Sequence, residues 1–285
     1  MSYRRVTYDL DDIRQVLKYY PGNFGAPGIP RGKKRERTSE EIEKANHRNK
    51  VRNLQRLIIA NFRPGRTVHL TYRKGERPET FEEALQHRQK FMDRMRRICK
   101  KAGVAWKWIA VTERGKKGGA LHHHLIIQDI TDPIDLLREI QRAWTHGRVT
   151  STAMEEEEDM FEVLAEYLVK KETKEGAEGK SYSRSRNLLV PQPKKETIHS
   201  RTWTKDPRPP KGWYIVQSSV WNARTPEGWP VQRYTMKRIM DNVDIVDNSP
   251  NKGKPPREGT FGGQNHEVRC GNLDRFSVGH PTGMR

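Results

Sequence analysis

An α+β domain, with a central antiparallel sheet flanked by helices, is the fold class that the sequence predicts. Residues 66–72 alternate apolar and polar side chains and are rich in β-branched types, as in a half-buried strand. Residues 78–101 repeat apolar side chains at helical spacing. Two further strand patterns, 104–112 and 122–127, flank a short basic connection with glycines, which predicts a β-hairpin.

The N-terminal segment predicts a helical appendage in front of this domain. Residues 9–20 place apolar side chains at helical spacing after Asp9, a residue type that caps helix N-termini. A basic stretch rich in glycine and proline follows from Pro21, and it predicts a linker that is available to phosphates. Ser39, followed by two glutamates, then opens a second helix.

The elements after the hairpin complete the predicted domain. Pro133 suits the first turn of a helix, and residues 146–150 predict a short strand. The segment Glu155–Lys174 predicts a helix, since its acidic first turn and basic last turn match the helix dipole. Further short strands are predicted at 187–190, 213–221 and 229–234.

Four regions follow from these patterns. They are a basic N-terminal helical appendage with its linker (1–62), the sheet-containing domain (63–200), a small β-containing extension (201–247) and a disordered tail (248–285).

Composition indicates a polyanionic partner. Lys and Arg total 55 against 36 Asp and Glu, so the net charge is +19, and nucleic acid is the commonest partner of such a chain. The two cysteines lie far apart and form neither a disulfide framework nor a zinc signature. No signal peptide or membrane-spanning run is visible, so we expect a cytoplasmic protein with no membrane partner.

Three consecutive histidines at the start of a predicted strand indicate a metal site. Side chains alternate along a strand, so His122 and His124 share one face and His123 lies on the other. Two imidazoles on one face can share a cation. The predicted hairpin brings Glu113, at the end of the preceding strand, near this pair as a third ligand.

A tyrosine with neighbouring lysines supplies a candidate reactive group. Tyr167 lies on the predicted helix 155–174, and Lys170 and Lys171 follow it at three and four residues, which is close in space on a helix. A divalent cation can polarise a scissile phosphate for attack by a phenol. Metal, tyrosine and lysine on a basic protein suit phosphoryl transfer through a covalent protein–DNA intermediate.

The order of these motifs resembles the HUH endonucleases. RTVHLTY, then VTE and GALHHHLII, then AEYLVKK are similar to the three motifs of rolling-circle replication initiators from bacterial plasmids, phages and integrated elements. His123 occupies the position where the family carries a bulky hydrophobic residue. An offset pairing that uses His123 stays open, but the apolar run from Leu125 favours His124 as the second histidine. The resemblance implies His122, His124 and Glu113 as metal ligands and Tyr167 as the nucleophile. The family spacing favours Lys170 as the helper, whereas helix geometry favours Lys171.

The resemblance also implies a substrate, a cofactor and partners. Tyr167 would cleave single-stranded or hairpin origin DNA, leaving a 5′-phosphotyrosine and a free 3′-hydroxyl that primes synthesis. Mg²⁺ or Mn²⁺ is the expected cofactor, although zinc also suits imidazoles. A host helicase and DNA polymerase would act with the protein. Basic residues beside the site and after the tyrosine helix are the expected DNA contacts, namely Arg114, Lys116, Lys117, Arg184 and Arg186.

Two other functions stay open. A single-tyrosine HUH transposase shares the order of motifs and ranks second, because such enzymes tend to be compact whereas this chain has long flanks. A non-catalytic, sequence-specific DNA-binding protein with a structural metal site is the other alternative. If the protein is an enzyme, Tyr182 is the second candidate nucleophile. Four tryptophans would stack on bases in that binding protein or, as the sequence favours, fill a small C-terminal core, namely Trp203, Trp213, Trp221 and Trp229.

Overall fold

The computed structural model describes residues 2–30, 32, 38–115, 119–155, 161–170 and 182–239. They form an α+β fold with two five-stranded antiparallel sheets, so the predicted class is confirmed, with two sheets in place of one. The predicted tail, 248–285, lies outside the described residues. The strands in chain order are β1 (Tyr3–Leu10), β2 (Ile13–Tyr19), β3 (Gly65–Leu70), β4 (Trp108–Arg114), β5 (Leu121–Gln128), β6 (Val149–Ala153), β7 (Ser183–Arg184), β8 (Lys194–Ile198), β9 (Trp213–Arg224) and β10 (Pro230–Arg238).

The first sheet joins the two ends of the described chain. Its strand order is β8-β1-β2-β10-β9, and every neighbouring pair is antiparallel. The second sheet has the order β6-β3-β5-β4-β7 and carries the histidine strand at its centre.

Four α-helices flank the second sheet among the described residues. They are α1 (Ser39–Asn61), α2 (Phe81–Lys101), α3 (Leu136–Ala143) and α4 (Glu162–Val169). Residues of α1 and α4 share a core with Ile109 and Ile126, whereas α2 and α3 share one with Ala110 and Leu125. Neighbouring positions on β4 and β5 thus face different helix pairs. No helix in the described ranges is both long and apolar enough to cross a bilayer.

The predicted helix over residues 9–20 is wrong, because this segment is a β-hairpin. Asp11 adopts a left-handed backbone conformation with φ of 68° and closes the tight turn between β1 and β2, in which Leu10 pairs with Ile13. Aspartate tolerates this conformation better than most residues. Pairing with β8 and β10 then satisfies the remaining backbone groups of the hairpin. Tertiary pairing overrides the local helical pattern, and the N-terminal region is not wholly helical.

Other element predictions need smaller corrections. Residues 187–190 form no strand, and β7 lies earlier, at Ser183–Arg184. The helix α4 ends at Val169, since Lys170 is a non-helical cap, so the helix does not run on to Lys174 as predicted. The helix that was predicted to open at Ser39 is confirmed and carries a capping box on Thr38.

The four C-terminal tryptophans do not share one environment. Trp229 is buried, and Trp203 packs against the same cluster as Tyr3 and Tyr20. Trp213 packs against a second cluster around Tyr234. These three tryptophans thus belong to cores, as predicted, but the cores include Tyr3, Tyr20 and Val16 of the N-terminal region and are not a separate C-terminal core. Trp221 is 45% exposed.

An ion pair links the β1–β2 turn to the chain leading into β3. Arg63 donates from Nη1 to Asp12 Oδ1 at 2.5 Å and from Nη2 to Oδ2 at 2.8 Å, and these hydrogen bonds lower the pKa of Asp12. A lowered pKa stabilises the fold above the ordinary aspartate range, and this contribution is lost as the pH falls through the lowered value.

We expect Asp12→Asn to lower the free energy of unfolding by about 1 kcal/mol at pH 7. Urea denaturation should show this difference shrinking as the pH is lowered, because wild-type Asp12 then becomes protonated. Asp11→Asn is the matched control, since Asp11 lies in the same turn and is exposed. Equal effects of the two substitutions, or an Asp12→Asn effect that persists at low pH, would contradict a stabilising Asp12–Arg63 ion pair.

Candidate metal centre and nucleophile

The strand β5 separates the three histidines as predicted. His123 is fully buried, with its Nδ1 2.8 Å from the Thr112 hydroxyl and its Nε2 2.7 Å from the Tyr72 hydroxyl. Burial holds the pKa of His123 well below its ordinary value, so the ring is neutral. Both ring nitrogens are engaged in the core, which leaves His122 and His124 for the opposite face.

The hairpin brings Glu113 to this histidine pair. Glu113 lies directly opposite His122 in the β4–β5 register. Its Oε1 atom is 2.8 Å from His124 Nε2 and 3.4 Å from His122 Nε2, and the two Nε2 atoms are 2.9 Å apart. The three ligand atoms therefore converge on one point, as a shared cation requires.

The charge and tautomer of these residues favour a cation between them. Burial raises the pKa of Glu113, but hydrogen bonds with His122, His124 and Tyr167 outweigh it and bring the pKa well below its ordinary value. The carboxylate also raises the pKa of His122 in spite of burial. His122 Nδ1 must donate to the Ala120 carbonyl, 3.2 Å away, so a neutral His122 directs the Nε2 lone pair at the cluster. This lone pair, beside the Glu113 carboxylate, favours a proton or a metal ion between the two residues.

The donor set fits a divalent metal. Ligands about 2.1 Å from one ion lie roughly 3 Å apart when they meet at about 90° to 109°. The observed separations are 2.8, 2.9 and 3.4 Å. Glu113, His122 and His124 are the only such group of three within the described parts of the chain. The identity of the metal, Mg²⁺ or Mn²⁺ in our expectation, does not follow from this geometry.

Tyr167 reaches the same point from α4. Its hydroxyl donates to Glu113 Oε1 at 2.7 Å and lies 3.2 Å from His124 Nε2. Burial of the hydroxyl, reinforced by the Glu113 carboxylate, raises the pKa of Tyr167, so the phenol is protonated at neutral pH. The residue is nevertheless 40% exposed, which leaves it open to a large substrate.

Comparison with known families points to the same part of the chain. Residues 66–173 match a family model that is described as a replication-associated protein. The match covers less than half of the chain and contains Glu113, the histidine strand and Tyr167. No curated protein and no solved structure matches the chain. We refer to residues 66–173 as the matched segment.

The two candidate lysines of this segment are not equally described. Lys170 is exposed and caps the end of α4, where its backbone N–H bonds to the Glu166 carbonyl. Lys171 lies outside the described residues. The choice between the two lysines therefore stays a prediction.

The predicted DNA contacts fall into three groups. Arg114 ends β4 beside Glu113, and its guanidinium donates to the Gly119 carbonyl at 3.3 Å. Lys116 and Lys117 lie outside the described residues.

Arg184 pairs with Ile109, four residues from Glu113 and thus roughly 13 Å along the strand. Arg186 lies on the turn after Arg184, and both line a groove with Arg96 and Lys100 of α2. Arg184 and Arg186 therefore do not border the metal centre.

Sequence reasoning missed His69. This residue lies opposite His124 in the β3–β5 register, and the two rings meet edge-on with centroids 4.2 Å apart. His69 is exposed, but desolvation by the surrounding protein, together with His124 and His122, lowers its pKa to about 4, so the ring is neutral beside the centre. Alternation within RTVHLTY places His69 on the face opposite Val68 and Leu70, and this signal was available in the sequence.

Tyr182, the second candidate nucleophile, lies elsewhere. Its side chain packs against the core shared by α1 and α4, and burial raises its pKa. No hydrogen bond joins it to Glu113, His122 or His124 among the described residues. The geometry thus favours Tyr167.

Proposed function

We propose that this protein is a metal-dependent endonuclease that nicks one strand of a replication origin and starts rolling-circle replication. The observation that carries the proposal is the Tyr167 hydroxyl at 2.7 and 3.2 Å from two atoms of the Glu113–His122–His124 group. A nucleophile and a cation site within one hydrogen-bond length suit phosphoryl transfer. The match of residues 66–173 to a family of replication-associated proteins supports a role in DNA replication.

The reaction is a transesterification. The Tyr167 oxygen attacks the scissile phosphorus, and the bond from phosphorus to the 3′ oxygen breaks. The phenol loses its proton and the 3′ oxygen gains one, so the products are a 5′-phosphotyrosine and a free 3′-hydroxyl. A divalent cation held by His122, His124 and Glu113 would polarise the phosphate and stabilise its developing charge.

The chain's own residues orient these groups. The hydrogen bond to Glu113 directs the Tyr167 hydroxyl into the centre. The Ala120 carbonyl orients the His122 ring through Nδ1, as the outer partners of metal-binding histidines do. Lys170 or Lys171 would add positive charge near the phosphate.

The substrate in this proposal is single-stranded or hairpin origin DNA, which suits the net charge of +19. The free 3′-hydroxyl primes a DNA polymerase, and a host helicase would separate the strands. A cytoplasmic location and the absence of a membrane partner remain predictions.

A label-transfer assay tests the proposal. Wild-type protein is incubated with Mn²⁺ and a 3′-labelled single-stranded oligonucleotide pool with a randomised centre, alongside a supercoiled plasmid carrying the host element. We expect a labelled adduct that survives denaturation, because the tyrosine retains the 3′ fragment through its 5′-phosphate. The same pool labelled at the 5′ end should give a shortened free strand and no labelled protein.

Chelation provides the metal control. EDTA should abolish the adduct, and added Mn²⁺ should restore it. An adduct that is indifferent to EDTA would refute metal dependence. DNA binding with no adduct on either substrate would favour the non-catalytic DNA-binding protein.

A further inference from the structure

A groove lies between helix α1 and one face of the first sheet. Its cavity measures about 760 Å³. The sheet wall is formed by residues that are cross-strand neighbours on β1, β2, β10 and β9, with Leu17 opposite Arg233 and Arg233 opposite Trp221. The helix wall includes Arg52 and Arg56, which are one helical turn apart. None of these residues belongs to the metal centre.

The groove concentrates positive charge. Arg52, Arg56 and Arg233 all line it, and Glu162 is the only carboxylate that does so among the described residues. Burial, with repulsion from neighbouring arginines, lowers the pKa of each guanidinium, that of Arg233 to about 10. Within the described ranges, neither Arg52 nor Arg233 makes a side-chain hydrogen bond or ion pair. Such half-buried guanidinium groups are suited to an anionic ligand.

Aromatic rings alternate with these charges. The guanidinium of Arg56 lies 3.6 Å from the Tyr8 ring centroid, and that of Arg233 lies 4.4 Å from the Trp221 ring. Trp221 is 45% exposed, in contrast to the core tryptophan Trp229. Exposed aromatic rings and guanidinium planes among basic residues are the surfaces on which unpaired bases stack.

Helix α4 connects the groove to the nucleophile. Glu162, at the first turn of α4, lines the groove, and Tyr167 lies five residues further along the same helix. Five residues of an α-helix rise about 7.5 Å. The groove and the nucleophile are therefore close along the axis of α4, although five residues also turn the Tyr167 side chain about 140° around that axis from Glu162.

We propose that this groove binds single-stranded DNA, with Arg52, Arg56 and Arg233 on the phosphates and Trp221 stacked on a base. The inference deepens the proposed function, because the bound strand would be the one that Tyr167 cleaves. Duplex DNA fits the groove less well, since its bases are already stacked and paired.

Binding can be measured without cleavage. The probe is a dye-labelled, mixed-sequence single-stranded oligonucleotide of about 20 nucleotides, read by fluorescence anisotropy in EDTA and in a Tyr167→Phe background. The test variant adds Arg52→Gln with Arg233→Gln. The matched control adds Arg97→Gln with Arg138→Gln, which removes the same charge from exposed positions on α2 and α3. Circular dichroism and thermal melting verify that each variant is folded.

We expect the Arg52→Gln, Arg233→Gln variant to bind at least about tenfold more weakly than the control. The slope of log affinity against log salt should fall by about 1.4, since each lost phosphate contact on a single strand contributes about 0.7. Trp221→Ala should also weaken binding about tenfold, with little change in that slope. Arg52→Lys with Arg233→Lys retains charge and should preserve most of the slope.

Two results would overturn the inference. One is binding by the glutamine variant that equals the Arg97→Gln, Arg138→Gln control. The other is an equal loss of affinity for single-stranded DNA, for the same sequence as duplex and for heparin, which would indicate a general polyanion surface. Failure of the endonuclease proposal would appear separately, as the absence of a wild-type adduct with intact single-strand binding.

Discussion

Replacing Tyr167 with phenylalanine is expected to abolish the covalent protein–DNA adduct and to reduce nicking by roughly 10³-fold or more. Phenylalanine keeps the ring that packs beside His124 but lacks the oxygen that would bond to phosphorus. The substitution also removes the hydrogen bond to Glu113, so the free energy of unfolding should fall by only about 1 kcal/mol. Label transfer on denaturing gels, with the 3′-labelled substrate, measures the effect.

Tyr182→Phe is the control for this substitution. It removes the same hydroxyl from a tyrosine that packs against the α1–α4 core and makes no hydrogen bond to Glu113, His122 or His124 among the described residues. We expect adduct yield near that of the wild type. An adduct that survives Tyr167→Phe, or that disappears only with Tyr182→Phe, would refute the assignment of the nucleophile.

Replacing His124 with alanine is expected to have the second-largest effect. His124 Nε2 lies within 2.9 Å of both other ligand atoms, so its loss leaves an incomplete site. Changes to outer partners of metal ligands typically cost 10- to 100-fold in affinity, and loss of a ligand should cost at least about 100-fold. Titration of Mn²⁺ by calorimetry measures the affinity, and adduct yield should fall in parallel at limiting Mn²⁺.

His123→Leu is the matched control, since it alters the adjacent histidine on the opposite face. The Thr112 and Tyr72 hydroxyls would each lose a buried partner, so we expect a loss of stability of about 1 to 3 kcal/mol. Affinity for Mn²⁺ should remain within a few-fold of the wild type. The two substitutions should thus separate metal binding from stability. Weak Mn²⁺ binding by a folded His123→Leu protein would show that the wrong histidines were assigned.

Local sequence patterns predicted much of the candidate site. A strand has a two-residue repeat, and this alternation alone places His122 and His124 on one face and His123 on the other. The short connection between β4 and β5 likewise places Glu113 near them, because a hairpin brings neighbouring strands into register. The helical repeat located Tyr167 on α4, although the distance from α4 to the sheet had no local signal.

Local patterns could not predict which distant strands pair with one another. The register of β3 against β5, which brings His69 to His124, joins residues 55 positions apart and depends on the whole sheet. Residues 9–20 satisfy a helical pattern in isolation, and only pairing with β8 and β10, from the other end of the described chain, makes them a hairpin.

The amino-acid sequence by itself thus determined the α+β class, the central hairpin, the strand face on which each histidine lies and the strongly basic character of the chain. Each of these features arises from neighbouring residues or from composition. Only the tertiary structure decided that a second sheet exists and that Arg184 and Arg186 lie away from the metal centre. It also decided that Arg52 of α1 and Arg233 of β10 line one groove. These features depend on contacts between distant segments, whose free energy no local pattern reports.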